Sequence, residues 1–166
     1  MLDYYLVGPN TVLVEEFVLE PTGAAIGIDS VCFSPSAWAS GASLSREIRA
    51  DAALRESVRP VTRAEAEQAA DLPAESVLCS LFTDRIPLGA QPLSFGDESI
   101  LRLLFAGRRD APSLSIVDVQ WKLRDVGPGL AWAVDLYGPA TPAVVHLVKS
   151  QMHRQGFLPI TIERLG

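Results

Sequence analysis

The chain has 166 residues, of which 48% are hydrophobic, and carries a formal net charge of −6 with a pI near 4.9. That length and apolar content suit one globular domain spanning residues 1–166, and the acidity disfavours non-specific nucleic-acid binding. No apolar run approaches the roughly 18 residues of a membrane span, and no basic segment followed by an apolar one opens the chain, so a cytoplasmic protein without a membrane partner is expected.

The charge is uneven. Residues 1–98 hold fifteen Asp/Glu and six Arg, whereas residues 99–166 hold five Asp/Glu and eight Lys/Arg. Such asymmetry permits docking of a basic partner or head-to-tail self-association. Twelve of the fourteen basic residues are arginine, a bias expected of a GC-rich bacterial coding sequence.

In chain order, residues 4–7 read as a strand closed by Gly8-Pro9-Asn10, and residues 12–19 as a second strand. Glu15-Glu16 interrupts its alternation as a bulge or an edge would. Residues 25–33 return as a third strand, completing an antiparallel meander. Residues 34–45, rich in Ser, Ala and Gly, read as a loop holding Trp38. That indole either pins the loop to the core or anchors a partner.

Residues 44–58 fit a helix with Leu44, Ile48, Leu54 and Val58 inward. Thr62 and Glu65 then form a capping box for a second short helix ending near Asp71. A DNA-reading helix pair is disfavoured, because Glu65, Glu67 and Asp71 outnumber Arg63 and would be repelled by phosphate. Residues 76–82 are a near-continuous apolar run and read as a buried central strand. Residues 83–97 read as a loop. Asp97 caps an expected helix over 98–106 with Ile100, Leu101, Leu104 and Phe105 inward, a strand being the competing reading.

The clearest pattern lies further on. Val117, Val119, Trp121 and Leu123 alternate with polar residues, and after 125–129 a second alternation runs through Leu130, Trp132, Val134 and Leu136. This predicts a hairpin with both tryptophans in the core. Thr141-Pro142 opens a helix that Gly156 stops. Its expected buried stripe is Val144, Leu147, Val148 and Met152. His146, Lys149, Ser150, His153 and Arg154 are expected on its polar face. Residues 157–162 form a last strand, which Pro159 directs to an edge. The fold class is therefore α+β: a mainly antiparallel sheet with helices on one face, ending strand–strand–helix–strand.

Candidate chemistry is sparse. The chain lacks a phosphate-binding glycine loop, a nucleophile elbow and the spacings of a zinc site. Cys32 and Cys79 sit among apolar residues and read as small buried groups. His146 and His153, the only histidines, are seven residues apart, which along a helix is roughly 10 Å, too far to share one metal ion. No catalytic residue, metal or cofactor is expected. Asp118 and Asp135 are expected as near neighbours on the outer face of the hairpin, able to share a proton or bind a cation. That face, and the acidic stretch around Asp84, Asp97 and Glu98, are the candidate sites the pattern offers.

These features favour a non-catalytic interaction protein: a subunit, an adaptor or an immunity-type inhibitor whose partner is another protein, a basic one being the best match, or a second copy of the chain. Trp38, Asp118, Asp135, His146, Lys149, His153 and Arg154 are the expected contact residues. The alternative is a small-molecule binder or enzyme that uses His146 or His153 with the hairpin carboxylates.

Overall fold

A computed structural model describes residues 1–88, 99–107 and 110–165. Asp97 and Glu98, expected as a helix cap and as part of an acidic site, lie outside the described residues. The expected α+β class with antiparallel sheets is what the structure has. The chain divides into two compact units, Met1–Val18 with Gly27–Pro87 and Leu19–Ile26 with Leu88–Gly166.

The first unit is built on a meander of β1 (Leu2–Val7), β2 (Thr11–Leu19), β3 (Ala25–Ser34) and β4 (Ala37–Ser40). β1 and β2 pair without a break from Leu2 opposite Glu16 to Val7 opposite Thr11, so Glu15-Glu16 makes no bulge against β1. Nor is β2 an edge, for the strand order is β4-β3-β2-β1. The alternation is interrupted because Glu15 itself is buried. Residues 37–40, expected within a loop, instead form β4, hydrogen-bonded to β3 with Trp38 opposite Phe33.

Next come α1 (Ala42–Ala50) and α2 (Ala52–Glu56), two helices where the sequence suggested one. Asp51 separates them: its backbone is extended, and its carboxylate accepts from the amides of Ala53 and Leu54 as a cap for α2. β5 (Val58–Val61) then pairs antiparallel with β1, so Val58 is a strand residue. With β5 between α2 and the helix that follows it, residues 44–71 do not form a helix–turn–helix. The capping box is present as expected: Thr62 Oγ1 accepts from the Glu65 amide, and the Glu65 carboxylate accepts from the Thr62 amide at 2.7 Å. It opens α3 (Arg63–Glu67), which is followed by α4 (Glu75–Ser80) and β6 (Ile86–Pro87), a two-residue strand on β3.

The buried central strand expected over 76–82 is therefore a helix. Its burial is one-sided, as a helix on a sheet requires, with Leu78 fully buried and Val77 46% exposed. One face of the sheet, carrying Tyr4, Val12, Val14, Val31 and Phe33, packs with Val61, Ala66, Leu72 and Leu78. The other face carries Tyr5, Leu13, Glu15 and Phe17 and meets α1, whose Ser45 and Arg49 both bond Glu15. Gly41, before α1, has no room for a side chain. An added Cβ would lie 2.9 Å from Ser30 and from the Val31 backbone nitrogen.

The second unit contains β7 (Ile100–Ala106), β8 (Gln120–Gly127), β9 (Ala131–Tyr137), α5 (Pro142–Arg154) and β10 (Leu158–Leu165). Its sheet runs β10-β7-β9-β8, antiparallel throughout. The helix expected over 98–106 is a strand instead. Leu101, Leu103 and Phe105 alternate onto one face with no exposure, and β7 lies between two partners. The hairpin, α5 and the edge position of β10 agree with the sequence reading. Trp121 and Trp132 are half-buried rather than sealed in the core. Gly23, at φ +85°, fits against Leu101 and Val145, which places α5 on the Leu101 face of this sheet.

Candidate functional site

Asp135 is the most constrained polar side chain of the second unit. Strand alternation puts it on the face opposite Leu136, and therefore away from α5. It is nevertheless fully buried, because two arginines from flanking strands lie over it. Arg102, directly opposite on β7, donates Nε at 2.7 Å and Nη2 at 2.9 Å to its two oxygens. Arg124 on β8 donates Nε at 2.7 Å. Arg124 Nη2 also donates to the Tyr137 hydroxyl at 3.4 Å. Burial alone would raise the Asp135 pKa, but the hydrogen bonds and positive charge of Arg102 and Arg124 outweigh it and hold the carboxyl below its usual range.

Lys122 is the β8 residue opposite Asp135, and Glu163 on β10 is opposite Arg102. One row across four strands thus reads Glu163, Arg102, Asp135, Lys122. Chemically this is a fixed set of donors around a neutralised carboxylate. It offers no general base.

The expected pair of Asp118 and Asp135 does not form. Asp118 precedes β8, exposed, with φ at 65°, and is not a cross-strand neighbour of Asp135. Left-handed backbone of this kind is tolerated by Asp more readily than by most residues. A carboxylate pair does exist elsewhere: Asp3 on β1 stands opposite Glu15 on β2, both buried. Arg49 from α1 grips Glu15 with Nη1 and Nη2, each at 2.8 Å, and Ser45 Oγ donates to the same carboxylate. The Arg49 guanidinium also sits 5.6 Å over the Phe17 ring. Tyr5, fully buried beside this cluster, has its hydroxyl pKa pushed well up by burial and then by the charges of Asp3 and Glu15.

On α5 the buried residues are Val145, Val148, Lys149 and Met152: Val148 and Met152 as expected, Val145 and Lys149 in place of Val144 and Leu147. Lys149 is therefore interior at 1% exposure, whereas Leu147 is 40% exposed. His146 and His153 are half-buried, and Arg154 is exposed, bonding Ser150 Oγ at 3.2 Å. Since Asp135 faces away from α5 and is held by two arginines, neither histidine is paired with it. Among the described residues, no three His, Cys, Asp or Glu side chains gather as metal ligands would.

In the first unit, Trp38 is 49% exposed on the terminal strand β4, so it is not the core pin the loop reading allowed. An open cleft of about 500 Å³ lies nearby in the chain fold, lined by Ser40, Ser43, Arg46, Thr83, Asp84 and Arg85. Arg85 is tied to Asp29 by two hydrogen bonds of 2.8 Å. Cys32 is half-buried and Cys79 exposed, both unpaired, so Cys79 is not the buried group its neighbours suggested. Burial raises both thiol pKa values, the charge of Glu16 adding to the effect at Cys79, which leaves little reactive thiolate at neutral pH.

The polar grouping that sequence reasoning missed is Arg102 and Arg124 around Asp135. Its only sequence signal was the alternation of β8, since Arg102 lay in a segment read as a helix. Comparison of the chain with protein-family models, with curated proteins and with solved structures finds no match.

Proposed function

We propose that this protein is a non-catalytic interaction protein that docks another protein through its first unit. The carrying observation is Trp38, a tryptophan half in solvent on the terminal strand of the sheet. Large aromatics that leave water on binding are the commonest anchors of protein interfaces. The charge supports the same reading. Twelve Asp/Glu and six Arg fall in the first unit, so it carries the whole net charge of −6, while the second unit is balanced at eight of each. A basic protein would be steered to such a surface.

The ionisable groups with the closest partners are engaged structurally: Asp135 by two arginines, Glu15 by Arg49, and both thiols raised in pKa. This favours binding over catalysis. The test is affinity capture from the native cells with wild-type protein and Trp38→Ala side by side, at low and moderate salt. A stoichiometric basic protein retained by wild type, lost with Trp38→Ala and weakened by salt, is the expected result. A protein retained equally by both forms overturns the assignment of Trp38. Recovery of wild type alone, as a monomer by sedimentation, overturns the interaction reading.

A further inference from the structure

The four-stranded sheet ends at β8, and among the described residues no strand pairs with its outer edge. An unpaired edge presents a row of backbone donors and acceptors that can template another strand. On β8, Gln120, Lys122 and Arg124 alternate along the outer face and are all exposed, while Trp121 and Leu123 alternate along the inner face, half-buried. Arg124 is not a loose surface cation, because Asp135 and Tyr137 fix its guanidinium. Asp118 and Asp125, both exposed, lie on either side of the two cations in sequence, but Asp125 is on the opposite face of the strand and accepts from the Gly127 and Gly129 amides.

We propose that β8 accepts an added strand from another protein, an extended acidic segment whose two central acidic residues, at alternate positions, face Lys122 and Arg124. Backbone hydrogen bonds supply the affinity in this mode, and alternate side chains supply the choice of partner. The charge pattern selects the occupant. A second copy of β8 is disfavoured, since antiparallel self-pairing about Leu123 sets Lys122 against Arg124, and like charges directly opposite repel. The proposal stands on β8 alone and does not depend on Trp38.

The test uses the full chain and short synthetic peptides of alternating Thr and Val with glutamate at two central, alternate positions. Two matched peptides and an oligonucleotide serve as controls: a peptide with lysine at those positions, one N-methylated at alternate backbone amides, and an oligodeoxythymidine as a purely anionic strand. The glutamate peptide is expected to bind and to slow hydrogen exchange of β8 amides, with N-methylation weakening it about tenfold or more. Lys122→Glu should weaken the glutamate peptide and strengthen the lysine one, a reversal that loss of folding cannot mimic. Trp38→Ala should leave both unchanged. Equal binding of plain and N-methylated peptides, binding of the oligonucleotide at the same residues, or no binding of the glutamate peptide overturns the proposal.

Discussion

Asp3 and Glu15 face each other across β1 and β2 inside the protein, two buried carboxylates in direct register, and the two-point grip of Arg49 falls on Glu15. Opposed like charges cost stability on a sheet, so this pair persists by virtue of the cation beside it. Removing one partner of a buried ion pair leaves the other uncompensated. Glu15→Gln is expected to destabilise the fold by about 3–5 kcal/mol. Asp3→Asn should cost less than Glu15→Gln, since Glu15 takes two charge-assisted hydrogen bonds from Arg49. Joint replacement of all three charges, Glu15→Leu with Arg49→Met and Asp3→Asn, should recover most of the loss. Chemical denaturation followed by circular dichroism would rank the three, and an Asp3→Asn variant less stable than Glu15→Gln would refute this account.

The Asp135 cluster predicts an acid dependence. Arg102 and Arg124 hold the folded carboxyl below its unfolded value, so its stabilisation is complete above the usual carboxylate pKa of about 4. It is then lost as pH falls through the depressed folded value. Asp135→Asn should cost about 1–2 kcal/mol at neutral pH, kept modest by the exposure of both arginines. The variant should also show a shallower decline below about pH 4 than wild type. Parallel pH-dependent melting curves would mean that Asp135 is not the group responsible.

Trp38 is expected to behave as a surface residue in the fold. Trp38→Ala should change stability by no more than about 0.5 kcal/mol. Large destabilisation in thermal melts would place the indole in the packing of β3 and β4 and deprive it of its role as an anchor.

Gly41 is fixed by the backbone. A methyl there meets Ser30 and the Val31 nitrogen at 2.9 Å, and backbone cannot swing aside as a long side chain can. Gly41→Ala should therefore cost about 1–3 kcal/mol, read from denaturation midpoints. Thr62→Ala, which removes only the capping box of α3, should cost about 1 kcal/mol.

Much of this architecture was legible in the sequence wherever period and turn chemistry agreed. The Gly8-Pro9-Asn10 turn between alternating runs gave the β1–β2 hairpin, and Thr141-Pro142 with Gly156 gave α5. Two apolar runs misled. In Ile100–Ala106 the large groups fit both a period of two and the helical spacing, and only the partners on either side, which lie far away in sequence, select the strand. Residues 76–82 read as a buried strand because nothing local shows that Val77 faces water. The misread β7 also hid the cluster: with Arg102 assigned to a helix, Asp135 was matched with Asp118 or the α5 histidines and not with its partner on β7. Lys149 eluded the reading because a buried lysine does not look like a core residue, and with Val145 it takes the interior places expected of Val144 and Leu147.

The register of β7 has a consequence for how the protein is made. Ile100 pairs with Leu165, so one side of this apolar strand stays bare until translation has run through the hairpin, α5 and β10. β5 closes onto β1 after a comparable delay in the first unit. Pairings that span so much chain form slowly. During synthesis, the window in which β7 could join a strand of a neighbouring nascent chain is set by the time needed to reach β10. A ribosome stalled before that strand would release the form of this protein most prone to aggregate.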